Sequence, residues 1–354
     1  MITNIIFFIF LTCGTIPFIV FFGKKFEECI PVTIMSIVLI EFLFGIIGYL
    51  KIGFFVTCLI ILGGVIYASF YAIKKKVIII SVKAFLTPGF AIFVFQFIIL
   101  SLLNFGRLAS RWDEFSHWMD VVKVTTTLDD FATNPNSHSL FQSYPPAMSL
   151  FQYFLQKIYL FINKSEFFNE WRAYFAHQIF SISFFFPFFK DFSYRKSLEG
   201  FCISIVYFIS ILFLFSNFYS TVYIDPVLGI VAGCSIASIY LDNIKDSYTI
   251  LKLYLSCAVL VLLKDVGLLF SIIIIVMYLI KIYSKKDLRN KRFYLITILA
   301  IGSVALPKIL WKLEIITSQA QVRFGNKISP LVLLNVLLGK DTGYRYPSNL
   351  TLFS

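Results

Sequence analysis

The chain has 354 residues, of which 59% are hydrophobic and only 14% charged, with a formal net charge of +12 and a mean hydropathy of +0.85. This composition excludes an ordinary soluble domain, because apolar runs of about 20 residues recur and each can cross a bilayer core as a helix. The positive charge does not indicate a nucleic-acid partner, since lysines and arginines cluster between the apolar runs, as cytoplasmic loops require. We therefore predict an all-α polytopic membrane protein, with membrane lipids as partners.

The six cysteines are scattered along the chain, and most of them lie inside apolar runs. They form no CxxC pair and no Cys/His spacing of the kind that binds zinc. The sequence therefore supports neither a disulfide framework nor a zinc site.

The apolar runs predict about ten transmembrane helices. Four precede residue 105, at Ile5–Phe22, Ile30–Leu50, Phe54–Ile73 and Phe85–Asn104. Six follow residue 170, at Trp171–Phe189, Phe201–Asn217, Val222–Leu241, Ile250–Leu263, Val266–Tyr283 and Phe293–Leu310. With an external N-terminus, the lysines after the first and third spans and the basic loop 285–292 all lie inside. Residues 105–163 then form a large external loop.

The segment Met148–Ile162 decides the topology of the second half. It is apolar but short for a span, and it carries Gln152, Gln156 and Lys157. These features favour a helix that lies at the interface or dips into it. If the segment crossed instead, the basic residues 190–196 would lie outside, against the positive-inside rule.

The predicted organisation has four segments. Residues 1–104 are N-terminal transmembrane helices, and residues 105–170 are an external loop with an acidic motif and short interfacial helices. Residues 171–312 are transmembrane helices again, and residues 313–354 are an external C-terminal segment. This last segment holds no closing element, which is typical of a shortened chain.

The external loop contains the densest group of polar and aromatic side chains, from Arg111 to Trp118. If this stretch is helical, Asp113 and His117 share one face and Glu114 and Trp118 share the next. The tryptophans would lie at headgroup level. A carboxylate here can take the proton from an acceptor hydroxyl as it attacks a sugar. The alternative is a solvated acidic helix with an aromatic belt.

Further candidates lie on the same predicted side. Tyr144 precedes two prolines that fix the backbone as the chain returns to the interface. Asp225 lies at the outer start of a span, where it is either functional or a helix cap ahead of Pro226. The turn Lys264-Asp265 can bind a lipid phosphate or extend to the headgroups. The other candidates are Arg107, Arg111 and Glu166.

Four short motifs follow one another on this side: Trp112-Asp113-Glu114, Tyr144-Pro145-Pro146, Ser165-Glu166 and Tyr223-Ile224-Asp225. Their order, over approximately residues 85–285, resembles that of membrane glycosyltransferases of the GT-C fold. Those polytopic enzymes take sugars from polyprenyl-phosphate donors and act on the external face. Here the acidic loop follows the fourth predicted span, whereas in that family it usually follows the first.

The resemblance implies that Asp113 or Glu114 is the catalytic base and that Asp225 is a second acid on the opposite wall. It implies a divalent cation, Mg or Mn, in some members, for which Asp113, His117 and Asp225 are candidate ligands. The implied donor phosphate would be held by a basic group. The candidate substrate-binding residues are Arg107, Arg111, His117, Tyr144, Glu166, Lys264 and Asp265.

We therefore predict a glycosyltransferase of the bacterial plasma membrane that transfers a sugar from a polyprenyl-phosphate donor to an envelope glycan or glycolipid outside the cell. One alternative is a polysaccharide polymerase or ligase, which more often uses arginine and histidine. Another is a flippase for lipid-linked oligosaccharides. A transporter of that kind is expected to show two matching hydrophobic halves, and the sequence shows none.

Overall fold

The computed structural model describes residues 2–192, 197–283 and 291–321, and every regular element in these ranges is helical. The α-helices are α1 Ile2–Phe22, α2 Phe26–Ile46, α3 Leu50–Lys74, α4 Ile78–Phe85, α5 Pro88–Asn104, α6 Met119–Leu128, α7 Ala147–Asn163, α8 Glu170–Ser183, α9 Ser197–Leu214, α10 Ile224–Leu241, α11 Ser247–Leu263, α12 Gly267–Tyr283 and α13 Lys291–Thr317. A π-helical turn, Glu114–Trp118, leads into α6. The predicted basic loop 285–292 and the C-terminal segment 313–354 lie mostly outside the described residues.

Five described helices are long and apolar enough to cross a membrane: α1, α2, α3, α10 and most of α13. α4 and α5 together make a sixth candidate, bent by 44° at their junction. Three more apolar helices, within α9, α11 and α12, have at most 17 residues. The chain is thus an all-helical membrane protein in its described part, and five or six helices meet the length expected of a span.

The bend between α4 and α5 has a local cause. Pro88 occupies the first turn of α5 and cannot continue a helix from α4, because it lacks an N–H group and its ring clashes with the preceding turn. The Thr87 hydroxyl accepts a hydrogen bond from the Phe90 backbone N–H at 3.1 Å and caps the new helix. The same hydroxyl donates to the buried Glu27 of α2 at 2.5 Å. The helix start is therefore anchored to a neighbouring span.

One end of the bundle, which we call the lysine end, is held by ion pairs. Asp242 accepts from Lys190 at 2.5 Å and from Lys252 at 2.6 Å. Lys24 and Asp246 are 2.7 Å apart at the same end. These contacts join the ends of α1 and α10, the chain after α8 and the start of α11.

The opposite end, which we call the loop end, carries residues 105–146. Here Asn4, at the start of α1, donates to Ser101 of α5 at 2.5 Å. Lys51, at the start of α3, lies 3.8 Å from Asp129 in the loop after α6. The residues predicted to lie outside are thus gathered at the loop end, and the predicted inner lysines 24 and 190 are at the lysine end.

α7 is inserted into the bundle with both ends at the loop end. Lys157 pairs with Asp129 at 2.5 Å, and Asn163 at its C-terminus donates to Thr3 at 3.0 Å. Gln152 and Gln156, which indicated an interfacial helix, are buried and donate to backbone carbonyls of α8 and the residue before it at 3.0 and 2.6 Å. Their polarity therefore serves helix packing and does not mark a face open to solvent.

The close approach of the loop to α2 requires Gly45. A Cβ added there would lie 2.3 Å from the Phe131 ring, which is buried between Phe42 and Trp311 at centroid distances of 6.1 and 5.3 Å. Gly45→Ala should lower the free energy of unfolding by about 1–3 kcal/mol, because the ring has little room to move. Thermal unfolding in detergent measures this. The control is Gly63→Ala in α3, where the added Cβ meets nothing within 4 Å; equal losses in both variants would contradict the steric explanation.

Candidate functional site

Asp113 and Glu114 are adjacent but have different environments. Glu114 is fully buried, and its Oε2 accepts from the backbone N–H groups of Ser110 at 3.0 Å and Arg111 at 3.1 Å. Asp113 is exposed and acts electrostatically on the Tyr223 side chain. Of the two predicted bases, Glu114 therefore stabilises the preceding loop through its hydrogen bonds, while Asp113 is accessible to a substrate.

The π-helical turn changes the predicted side-chain arrangement. The Met119 N–H bonds the Glu114 carbonyl, so the turn is one residue wider than an α-helical turn. The prediction that Asp113 and His117 share a face assumed α-helical spacing. Asp113 is exposed and His117 is buried, with 8% of its surface accessible.

His117 lies in an aromatic cluster with Trp118, Phe141 and Tyr144. Its ring stacks against Trp118 and Phe141 at centroid distances of 3.8 and 4.0 Å, and Tyr144 meets it edge-on at 4.2 Å. Burial, assisted by the charge of Lys264, lowers the pKa of His117 to about 4. The imidazole is therefore neutral at pH 7, and its role at that pH is packing.

The neutral His117 predicts a loss of stability in mild acid. Its pKa in the folded protein, about 4, is below its ordinary value of 6.5, so the unfolded chain binds the proton more readily. Its contribution is complete above pH 6.5 and is lost as the pH falls toward 4, by at most about 3 kcal/mol. The free energy of unfolding, measured from pH 7 to 4, should therefore decrease less steeply with falling pH in His117→Gln than in the wild type.

The comparison uses the slope with pH, so a uniform loss of stability in the variant does not affect it. His138→Gln, at an exposed histidine of the same loop, should keep the wild-type slope. If His117→Gln had the wild-type slope, the loss of stability in mild acid would not come from His117.

The start of α10 meets the α11–α12 turn beside this cluster. The Asp225 Oδ1 atom lies 2.5 Å from the Lys264 Nζ atom, and their side chains are 60% and 30% exposed. Asp225 acts electrostatically on Tyr144, and Lys264 on His117, so the ion pair borders the aromatic cluster. An exposed ion pair contributes little stability. Each partner is therefore available to a ligand.

Arg107 is held in the protein. Its guanidinium donates to the Tyr219 carbonyl and to Asn104 Oδ1, and it lies over the Tyr174 ring at 5.5 Å. It therefore fixes the segment between α5 and the π-helical turn, and it is a weaker candidate for a donor phosphate than the sequence predicted.

The other predicted residues, Arg111, Asp265 and Glu166, differ in their contacts with this site. Arg111 acts electrostatically on Tyr223 beside Asp113. Asp265 is 78% exposed and pairs with Lys308 at 2.5 Å. Glu166 is exposed in the loop between α7 and α8, and no hydrogen bond or ion pair among the described residues joins it to the cluster.

Glu170 is a residue that the sequence prediction missed. Its Oε2 accepts from the Ala109 backbone N–H at 2.6 Å, so it positions the segment before Asp113. The available signal was its place in the first turn of α8, directly after Asn169. The motif match selected Glu166 instead, because a two-residue pattern carries no information on tertiary contacts.

The enclosed space at this site is small. A cavity of about 20 Å³ lies between the aromatic cluster and α7, bordered by Tyr144, Gln152 and Val222. That volume is enough for about one water molecule. The groups that a larger ligand can reach are therefore those on the exposed side, Asp113 and the Asp225–Lys264 pair.

The predicted metal ligands do not converge. Within the described ranges, no three His, Cys, Asp or Glu side chains come together in a geometry that could hold a metal ion. His117 is stacked between rings, and Asp225 is paired with Lys264. Asp113, His117 and Asp225 thus do not fit the suggested Mg or Mn site.

The described fold and this site define a class: an all-helical membrane protein with accessible carboxylates, a half-buried lysine and an aromatic cluster at one end of its bundle. No family model, curated protein or solved structure matches the chain.

Proposed function

We propose that the protein is a membrane glycosyltransferase that transfers a sugar from a polyprenyl-phosphate donor to an envelope glycan or glycolipid. The observation that carries the proposal is the position of Asp113 relative to the exposed Asp225–Lys264 pair. Asp113 acts electrostatically on the Tyr223 side chain, and Tyr223 precedes Asp225 by two residues, so the two exposed carboxylates are neighbours near the start of α10. An acid–base group and a cation for the leaving phosphate are the minimum that this reaction needs.

In the proposed reaction, Asp113 is the general base. It takes the proton of the acceptor hydroxyl while that oxygen forms a bond to the anomeric carbon of the sugar. The bond from this carbon to the donor phosphate oxygen breaks, and the polyprenyl phosphate leaves with the electron pair. Lys264 donates to the phosphate in place of Asp225, and the released Asp225 carboxylate stabilises positive charge at the anomeric carbon.

Exposed aromatic rings support a site at the membrane surface. Trp112 and Phe115, on either side of the acid pair, are 80% and 58% exposed. Aromatic side chains of this kind concentrate at the membrane–water interface. They would hold Asp113 at the depth of lipid headgroups, where the phosphate of a polyprenyl donor also lies.

We infer a GT-C-like arrangement in which the shorter helices α8, α9, α11 and α12 complete the ten predicted spans. In this arrangement the loop end faces the outside of the bacterial plasma membrane, and α7 belongs to the large external loop. The lysine end then faces the cytoplasm, as the positive-inside rule favours. External labelling of a cysteine introduced at Asp120, in a background without native cysteines, tests the orientation; labelling only after permeabilisation would contradict it.

Two other functions are less well supported. A polymerase or ligase of lipid-linked sugars would more often use arginine and histidine. Here Arg107 is bound to a backbone carbonyl and His117 is stacked and neutral. A flippase is the alternative from another class, and the following experiment separates it from a transferase.

The test is the sugar composition of envelope polysaccharides and glycolipids in cells that lack the protein and in cells that carry the wild type, Asp113→Asn or Asp120→Asn. Expression is matched. Asp120, a half-buried acid in the first turn of α6, is the charge control. We expect one sugar to be absent from cells that lack the protein and from cells with Asp113→Asn. The same sugar should be present in cells with the wild type or Asp120→Asn. Its return with Asp113→Asn would overturn the transferase proposal and favour a flippase or a scaffold.

A further inference from the structure

An apolar groove of about 310 Å³ lies among α1, α3 and α4. Its walls include Ile16 and Val20 of α1, Ala72 of α3 and Val82 and Phe85 of α4, and only two serines add polar atoms. At about 30 Å³ for each water-sized group, it has room for roughly ten methylene groups. This is the size and chemistry of a segment of one acyl chain.

The wall formed by α4 has little protein packed against it. None of the eight residues of α4 is buried. Ile79 and Ile80 are each 68% exposed, and Val82 is 50% exposed. A chain seated in the groove would add van der Waals contacts to the sparse packing of α4 against α1.

The groove adjoins a run of three positive charges. Lys74, Lys75 and Lys76 form the turn between wall residues Ala72 and Ile78, and all three are exposed. None of them takes part in the ion pairs of the described residues.

Other lysines at the lysine end are paired: Lys24 and Lys190 form ion pairs with aspartates. The lysine triplet therefore has charge available for an external anion, and a polybasic segment at a membrane surface attracts anionic lipid.

We propose that this groove binds one acyl chain of an anionic diacyl phospholipid, whose phosphate lies against Lys74, Lys75 and Lys76. The apolar walls provide the seat, and the triplet selects the charge of the headgroup. The groove reaches the turn after α3, whereas the Asp225–Lys264 pair lies at the loop end, so this is a separate site from that of the proposed sugar donor. The proposal does not depend on the glycosyltransferase assignment.

The test measures which lipids the purified full-length protein retains from an equal mixture of phosphatidylglycerol and phosphatidylcholine, by native mass spectrometry. One variant replaces Lys74, Lys75 and Lys76 with Gln. A second, Ser81→Phe, fills the groove without changing any charge. The control replaces three exposed lysines of the loop end with Gln: Lys51, Lys123 and Lys164.

The wild type and the control should retain phosphatidylglycerol preferentially. The triplet variant should lose at least about tenfold of this preference, and Ser81→Phe should lose the bound lipid although its lysines are intact. A wild-type preference in Ser81→Phe would overturn the proposal, because the lysines would then attract lipid without the groove. If gel filtration shows Ser81→Phe to be misfolded, Ile78→Trp replaces it, because Ile78 is an exposed residue of the groove wall.

Discussion

Asp113→Asn is expected to reduce the rate of sugar transfer about 10²–10⁴-fold, which is the usual contribution of a general base. Asparagine has almost the shape of aspartate but cannot take the acceptor proton. Because Asp113 is exposed, the unfolding temperature should stay within about 2 °C of the wild type. The measurement is initial transfer rate in proteoliposomes, with the donor sugar identified from the envelope analysis, together with thermal unfolding of the same preparations.

Glu114→Gln is the matched variant, and the opposite result is expected. Its carboxylate is buried and accepts two backbone hydrogen bonds. A neutral amide accepts them less strongly, which should lower the free energy of unfolding by about 1–3 kcal/mol. Transfer per folded molecule should fall much less than in Asp113→Asn. A loss of transfer in Glu114→Gln at normal stability would contradict the structural role assigned to Glu114.

The second large effect is expected on stability at the lysine end. Asp242 and Lys252 are 13% and 8% exposed in their side chains, and Asp242 also binds Lys190. Asp242→Asn would leave two ammonium groups, one of them buried, without their anionic partner. Removing one member of a buried ion pair is strongly destabilising, here by about 3 kcal/mol, and thermal unfolding in detergent at pH 7 should show this loss.

Asp246→Asn is the control for this effect. Its ion pair with Lys24 is at the same end, but the two side chains are 30% and 24% exposed. The loss should therefore stay below about 1 kcal/mol. Equal losses in the two variants would contradict the idea that burial makes the Asp242 ion pairs important.

The contributions of the Asp242 ion pairs and of neutral His117 to stability should be lost in different pH ranges. Burial alone would raise the pKa of Asp242, but Lys252 and Lys190 outweigh it, so the pKa lies below its ordinary value of 3.8. This contribution is present above pH 3.8 and is lost at lower pH, as the carboxylate takes a proton in the folded state. The loss from His117 occurs earlier, between pH 6.5 and 4. Two separate phases of acid destabilisation are therefore expected.

The sequence by itself determined the class of protein and the approximate positions of several of its long helices. The predicted span Phe54–Ile73 lies within α3, Leu50–Lys74, and the predicted Ile5–Phe22 lies within α1, Ile2–Phe22. These agreements have a local cause, because the length of an apolar run is set by the thickness of the bilayer and can be counted along the chain. The order of the spans along the chain likewise predicted that the polar external candidates lie at one end of the bundle and Lys24 and Lys190 at the other.

Tertiary structure alone distinguished residues that look equivalent in the sequence. Asp113 and Glu114 are adjacent acids, yet Glu114 is fully buried and accepts hydrogen bonds from two backbone N–H groups, whereas Asp113 is exposed. Glu166, in the loop before α8, and Glu170, the first residue of α8, are only four residues apart, yet it is Glu170 that holds the segment before the motif. The burial of a side chain and the contact between Glu170 and Ala109, 61 residues apart, depend on segments distant in the chain, so the spacing within a motif does not predict them.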